Sequence, residues 1–190
     1  MEFDLIFLIG CFYFFLPAYS ANMTPPLVRN AKIFDFLAKP VDFGKNLWGK
    51  RIFGDHKTWR GLVCAIAVGA GVALLQWWLY RFSWAMELSL LDYKSVNLWA
   101  FALLLSGGAM AGDLAAAFIK RRIGLAPGAS FMPWDQTNYV IGSFVFLAPY
   151  IRPYMENDLI VWGTVFLMTF FIHLLFNRFG YDLGLHKAKW

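Results

Sequence analysis

The sequence predicts an all-α integral membrane protein that folds as a single domain over residues 1–190. The chain is 59% hydrophobic and 15% charged, whereas soluble proteins carry roughly a quarter charged residues. Several apolar runs approach the roughly 20 residues that a helix needs to cross a bilayer. The five predicted transmembrane helices are Phe3–Tyr19, Gly61–Tyr80, Val96–Ile119, Asn138–Ile151 and Asp158–Asn177. The fourth of these is the shortest.

The first span is predicted to be a retained helix rather than a cleaved signal peptide. Residues 18–20 resemble a small-x-small cleavage site, but the N-terminal region that would precede the apolar part of a signal peptide carries Glu2 and Asp4 and no Lys or Arg. A signal peptide would carry basic residues there. The basic residues crowd the segment after the span instead, which predicts an N-terminus on the outside of the cell membrane.

The distribution of Lys and Arg extends this orientation to the whole chain, because cytoplasmic loops carry an excess of basic residues. Of the 17 Lys and Arg residues, 14 fall in residues 20–60, 120–137 and 178–190. We therefore expect these three segments, including the long loop between the first two helices and the C-terminus, to be cytoplasmic. The sequence predicts a multi-pass protein whose functional residues face the cytoplasm.

The long loop contains the tract KPVDFGKNLWGKRIFGDHKTWRG, in which four glycines separate acidic and basic side chains. Glycine allows close backbone approach to an anion, and Lys or Arg supplies the countercharge. The alternative is an ordinary basic connector, since a cytoplasmic loop is basic in any case. At the end of the first span, Pro17, Pro25 and Pro26 are predicted to stop the helix, and Asn22 offers hydrogen bonds there.

A second polar tract, GDLAAAFIKRRIGLAPGASFMPWDQTNY, joins the third and fourth spans. Asp113 lies near the cytoplasmic end of the third span, and an ionisable residue at that depth marks a functional site by default. Lys120 lies two helical turns further along the same face. A turn at residues 127–128 leads to a second carboxylate, Asp135. These two carboxylates with basic residues between them are suited to hold Mg²⁺ against phosphates; the alternative is a structural ion pair of Asp113 with Lys120 or Arg121.

Two non-enzymatic classes compete with this interpretation. A small transporter for an anionic solute would use Asp113 and His173 as pathway residues, but the polar motifs cluster on one side and nothing repeats in inverted order. A non-catalytic assembly subunit would not need two carboxylates that frame a basic run. His173 is otherwise expected to hydrogen-bond a neighbouring helix. The sequence contains no P-loop or Gly-x-Ser-x-Gly motif, and no nucleic acid partner is expected.

The chain resembles the CDP-archaeol synthase family of membrane cytidylyltransferases, which are related to CDP-diacylglycerol synthases. The resemblance runs nearly end to end and rests on LPAYSANMTPPL, PVDFG, GKRIFGDHKTWRG, GDLAAAFIKRRIGLAPGASFMPWDQTNYVIGS and LFNRFGYDLGLHKAKW. The chain departs from many relatives at residues 115–117, where it carries only alanines and they carry a Ser. The resemblance implies a five-helix enzyme that joins CTP to a long-chain glycerolipid phosphate and releases pyrophosphate. It implies ether-linked geranylgeranyl chains, with an ester lipid as the alternative.

Under this hypothesis each candidate residue receives a role. Asp113 and Asp135 are assigned to a metal ion, Mg²⁺, and to catalysis. The basic residues predicted to hold phosphates of CTP or lipid are Lys120, Arg121 and Arg122. The residues predicted to surround CTP are Asp55, Lys57, Thr58 and Arg60, with Asn22 and Asn138 as further candidates.

Overall fold

The structure, a computed structural model, describes residues 4–126, 129 and 131–182. Within these residues the chain forms six α-helices and one short antiparallel hairpin. The helices are α1 (Leu5–Asn30), α2 (Trp59–Leu79), α3 (Ser83–Leu88), α4 (Leu98–Arg122), α5 (Trp134–Ile151) and α6 (Asp158–Asp182). The hairpin consists of β1 (Asn46–Leu47) and β2 (Lys50–Arg51). The predicted turn at residues 127–128 and the end of the predicted cytoplasmic tail, residues 183–190, lie outside the described residues.

Four helices of the described part are long and apolar enough to cross a membrane. They are Leu5–Asn30, Trp59–Leu79, Leu98–Arg122 and Asp158–Leu175. They correspond to the first, second, third and fifth predicted spans. The fourth predicted span is α5, which begins four residues earlier than expected and has 18 residues. Its first two turns contain Asp135, Gln136 and Asn138, which lower its hydropathy, so a fifth crossing stays a prediction.

The first helix does not end at its prolines, contrary to the sequence-based expectation. Helix α1 continues to Asn30 with Pro17, Pro25 and Pro26 inside it. A proline cannot donate to the carbonyl four residues before it, and Pro17 therefore leaves the Tyr13 carbonyl without its helical donor. The Gln76 side chain of α2 donates to this carbonyl instead. A hydrogen bond between helices thus compensates for the interruption, as membrane helices require.

Gln76 is itself held by a third segment of the chain. Its Oε1 accepts a hydrogen bond from the Tyr93 hydroxyl at 3.2 Å, and the residue is 1% exposed. Tyr93 lies in the connection between α3 and α4, whose structure was not predicted from the sequence. This polar network fixes the end of the helical bundle opposite to Asp113 and Asp135.

Glycines bring α4 and α5 into direct backbone contact. A Cβ atom on Gly112 would lie 2.1 Å from the Asn138 carbonyl oxygen, and one on Gly142 would lie 2.2 Å from the Gly108 carbonyl oxygen. Small residues allow this approach between membrane helices, where packing and hydrogen bonds drive association. The contact fixes the C-terminal half of α4 against the N-terminal half of α5, and the candidate site lies at that end.

Candidate functional site

A cavity of about 210 Å³ lies where α4, α5 and the loop before α2 meet. Seven of the eleven predicted site residues line it. These are Asp55, Lys57, Asp113, Lys120, Arg121, Asp135 and Asn138. Residues from the long loop and from the second polar tract are thus brought together, although 56 positions separate Lys57 from Asp113. His56, which was not among the predicted site residues, also lines the cavity.

Two lysine–carboxylate pairs form the polar wall of the cavity. Lys57 Nζ lies 2.7 and 2.6 Å from the two carboxylate oxygens of Asp113. Lys120 Nζ lies 3.0 and 2.8 Å from those of Asp135. Asp113 therefore pairs with Lys57, and the alternative ion pair with Lys120 or Arg121 does not form. Asp113 of α4 pairs with Lys57 of the long loop, and Asp135 of α5 pairs with Lys120 of α4.

The cavity contains oxygen atoms of the type that Mg²⁺ prefers as ligands. Asp113 and Asp135 contribute carboxylates, and Asn138, which is 8% exposed, has a buried side-chain oxygen without a hydrogen-bond partner in the described residues. Mg²⁺ prefers oxygen ligands and is usually held by one or two carboxylates together with waters and substrate phosphates. No group of three or more His, Cys, Asp or Glu side chains suited to a metal occurs within the described residues. Asp113 and Asp135 are thus the residues that would hold a metal ion, and the Mg²⁺ assignment stays a prediction.

Asp42, a residue that the sequence analysis did not single out, organises the loop that carries Lys57. Its Oδ1 accepts from Arg51 at 2.7 Å and from the Gly44 amide at 3.0 Å. Its Oδ2 accepts from the amides of Phe53 and Gly54 at 2.9 and 3.0 Å. Gly54 has a φ of 98°, a conformation that glycine adopts readily. The signal in the sequence was the PVDFG motif, but a buried acid that accepts four hydrogen bonds is visible only in the fold.

The environment of Asp42 lowers its pKa. Burial alone would raise the pKa of this carboxyl group, but the hydrogen bonds from Arg51 and from the amides of Gly54, Phe53 and Gly44 outweigh that effect. They hold the pKa of Asp42 well below its usual range, because each donor favours the charged form. Asp42 is therefore ionised at neutral pH, and its charge holds the loop in place.

Arg122 fastens the hairpin to α4 instead of lining the cavity. Its guanidinium group donates to the backbone carbonyls of Leu47, Lys50 and Arg51, and it lies 4.9 Å from the centre of the Phe118 ring. In return, Lys50 Nζ donates to the Arg122 carbonyl at 3.1 Å. Since Nη1 and Nη2 are both engaged by carbonyl oxygens, the structure gives Arg122 a structural role, and its contact with phosphate stays a prediction. Sequence spacing could not show this, because the hairpin was not predicted.

Three further predicted residues also lie outside the cavity. Arg60 is 7% exposed and pairs with Asp35. Thr58 caps α2 by accepting a hydrogen bond from the Gly61 amide at 3.2 Å, and it lines a smaller pocket beside the cavity. Asn22 lies in an apolar groove between α1, α5 and α6, because α1 continues past its prolines. The expected helix-to-helix hydrogen bond of His173 is confirmed: its Nε2 lies 3.2 Å from the Tyr139 hydroxyl.

Comparisons with known proteins identify the family of the chain. A sequence model of the family described as CarS-like, CDP-archaeol synthase, matches residues 3–190. The CDP-archaeol synthase of Thermococcus onnurineus is 34% identical over 96% of this chain and 97% of its own length. That of Halobacterium salinarum strain R1 is 36% identical over 92% of both chains. The chain belongs to the CDP-archaeol synthase family.

A solved structure supports the same membership in the CDP-archaeol synthase family. It is described as an intramembrane enzyme for archaeal membrane lipids biosynthesis. The two folds superpose with a TM-score of 0.64 at 27% sequence identity, over 87% of this chain and 91% of the other. The chain is accordingly a membrane protein and an enzyme of the CTP-dependent cytidylyltransferase class. The resemblance found in the sequence motifs is confirmed.

Proposed function

We propose that the chain transfers CMP from CTP to 2,3-bis-O-(geranylgeranyl)-sn-glycerol 1-phosphate at the cavity between α4, α5 and the long loop. The observation that supports this site is the convergence of Lys57, Lys120 and Arg121 with the carboxylates of Asp113 and Asp135. These cations and metal-binding groups lie at the ends of apolar helices. A site of this kind serves a reaction between a polar triphosphate and a lipid headgroup.

The reaction requires one bond to form and one to break. An oxygen of the lipid phosphate attacks the α-phosphorus of CTP, and the bond from that phosphorus to the oxygen bridging to the β-phosphorus breaks. The electron pair leaves with pyrophosphate, so no covalent enzyme intermediate is needed. Catalysis then depends on positioning two anions and neutralising their charge.

The basic side chains of the cavity are suited to this neutralisation. Lys57 and Lys120 each lie beside a carboxylate that keeps the ammonium group ordered at the cavity wall. From there each ammonium group can exchange its carboxylate partner for a phosphate oxygen. Arg121 lines the same wall and presents a planar guanidinium group, which matches phosphate geometry. We assign these three residues to phosphate binding, with Asp55 and His56 at the loop side of the cavity.

Asp113 and Asp135 are the residues that would hold Mg²⁺, with the Asn138 oxygen close by. When bound there, the metal supplies positive charge to phosphate oxygens and orients them. The ammonium groups of Lys57 and Lys120 now cover both oxygens of each carboxylate. A metal held there would compete with Lys57 and Lys120 for the carboxylate oxygens, and a lysine released from its carboxylate would be free to contact a substrate phosphate.

The experiment that tests this function is an assay of the purified full chain with labelled CTP and a set of lipid phosphates. Formation of a labelled CDP-lipid and of pyrophosphate is the expected result, with the geranylgeranyl ether substrate preferred. The ester-linked diacylglycerol phosphate is the comparison substrate, and preference for it would change the substrate class without changing the reaction. Absence of product with every lipid phosphate would contradict the proposed function.

A further inference from the structure

An apolar cleft of about 200 Å³ follows the outer contact between α4 and α5. Its floor consists of small residues, among them Ala111, Ala115 and Gly142. Trp134 lies at one end of the cleft on α5, and Phe146 lies at the other. Twelve positions separate these two residues, which corresponds to about 18 Å along a helix.

The cleft and the polar cavity meet at two shared residues. Ala116 and Asn138 line both. Asn138 is 92% buried, since its relative exposure is 8%, and its side-chain oxygen has no hydrogen-bond partner in the described part of the chain. A buried polar atom without a partner is costly. Because this atom is an acceptor, it suits a hydrogen-bond donor or a metal ion at the point where the cleft opens into the polar cavity.

We propose that this cleft holds a hydrocarbon chain of the lipid phosphate substrate, whose phosphate enters the polar cavity at the junction beside Ala116 and Asn138. The proposal rests on the function proposed above and adds the position of the lipid. A lipid phosphate must place its headgroup in the polar cavity while its chain stays in an apolar environment. The cleft provides such an environment in direct continuity with the residues assigned to phosphate binding.

The exposure of the cleft residues agrees with this position. Trp134 is 43% exposed and lies at the end of the cleft next to the polar cavity. Tryptophan is enriched at the level of lipid headgroups. At the far end, Val145 and Phe146 are 59% and 49% exposed, which suits contact with hydrocarbon. The alanines that α4 contributes to the lining are small and leave room beside these residues for a chain.

A larger apolar groove between α1, α5 and α6 is a less suitable place for the reacting lipid. It measures about 390 Å³ but shares no lining residue with the polar cavity within the described residues. Hydrogen bonds that join Tyr19 to Thr169 and Tyr139 to His173 tie these three helices together. A lipid phosphate in this groove would have no described path to Asp113 and Asp135.

The variant Ala115→Phe of the full chain tests the proposal by filling the cleft. Ala67→Phe is the matched control, because Ala67 is also an exposed helical alanine but lies on α2, away from both pockets. For Ala115→Phe we expect the KM for the geranylgeranyl lipid phosphate to rise about tenfold, a magnitude typical of an altered apolar contact. The KM for CTP and the turnover of an analogue with four-carbon chains should equal those of Ala67→Phe.

A photolabelling experiment provides a readout that does not depend on turnover. A lipid phosphate with a photoreactive group in its chain should label α4 and α5 peptides in the parent protein, and Ala115→Phe should reduce that labelling. If the label appears on α1 and α6 instead, or if Leu16→Trp in the groove raises the lipid KM while Ala115→Phe does not, the proposal is overturned. An equal loss with long-chain and short-chain substrates also overturns it. Correct labelling without any CDP-lipid product would instead count against the proposed function alone.

Discussion

Lys57 and Asp113 form an ion pair that joins the long loop to α4. The Lys57 ammonium nitrogen lies 2.7 and 2.6 Å from the two carboxylate oxygens, and the side chains are 28% and 23% exposed. The pair is therefore partly shielded from solvent and in direct contact with the cavity. Because Lys57 lies in the long loop and Asp113 in α4, the conformation of the loop decides whether Lys57 reaches Asp113.

The first prediction concerns Lys57→Ala and CTP binding. Loss of one charged hydrogen-bond donor should weaken CTP by about 1.5–3 kcal/mol, which is roughly ten- to a hundredfold in affinity. Lys45→Ala is the matched control, because Lys45 is an exposed residue of the same loop outside the cavity. Calorimetric titration of both variants with CTP measures the difference. Equal CTP affinity in the two proteins would mean that the loop is only a basic connector.

The second prediction is that Arg60→Ala affects stability and not CTP binding. Arg60 is buried, pairs with Asp35 and donates to the Ile33 carbonyl at 3.4 Å. Arg60→Ala should therefore lower the free energy of unfolding by about 1–3 kcal/mol, the usual range for a lost buried hydrogen-bonding group. Its folded fraction should bind CTP as the parent protein does. Thermal melting in detergent and CTP titration on one preparation test both statements, and a loss of CTP affinity at unchanged melting temperature would contradict them.

The sequence predicted the helical membrane fold because long apolar runs are a local property of the chain. The sequence also predicted that Asp113, Lys120 and Asp135 belong to one site, because these residues lie near the two ends of the short connection between α4 and α5. Predictions from the sequence were wrong or incomplete where contacts between distant segments determine the structure. Gln76 compensates for the carbonyl that Pro17 leaves without a donor, and the hairpin diverts Arg122 from the cavity. Neither interaction is visible in residue spacing.

The third prediction concerns Asp42 and pH. The pKa of Asp42 in the folded protein lies below its usual range, so the carboxylate contributes stability above the unfolded value, about 3.9. This contribution is lost as the pH falls through the lower, folded pKa. Asp42→Asn should therefore lower the melting temperature at pH 7, and the difference from the parent protein should shrink as the solution is acidified. A difference that does not change with pH would contradict this role of the charge.

Asp42 should also act on catalysis through the position of the loop. Hydrogen exchange in residues 42–57 should increase in Asp42→Asn, because the amides of Gly44, Phe53 and Gly54 lose a charged acceptor. The KM for CTP should rise as Lys57 becomes less well placed. Asp92→Asn is the control, since Asp92 also accepts a backbone and a side-chain hydrogen bond, from Lys94 and Ser95, but lies outside the loop.

The fourth prediction concerns orientation in the membrane. With 14 of the 17 Lys and Arg residues in residues 20–60, 120–137 and 178–190, a reporter fused after Trp190 should give a cytoplasmic signal, and one fused at Met1 an external signal. A cytoplasmic N-terminus together with an external C-terminus would place the cavity on the side without CTP. A reporter inserted in the connection between α5 and α6 tests whether α5 crosses the membrane, and we expect that connection to be external.

The last prediction concerns the two carboxylates as metal ligands. Asp113→Asn and Asp135→Asn preserve shape but remove a charged ligand, so turnover with Mg²⁺ should fall by about a hundredfold or more, as it does when an electrostatic catalytic group is lost. Binding of Mn²⁺, followed by its paramagnetic signal without substrate, should weaken in both variants. Asp158→Asn is the control, because Asp158 pairs with Arg152 on the connection between α5 and α6. If Asp113 and Asp135 only anchored Lys57 and Lys120, the melting temperature would drop, residual turnover would follow the folded fraction, and Mn²⁺ binding would equal that of Asp158→Asn.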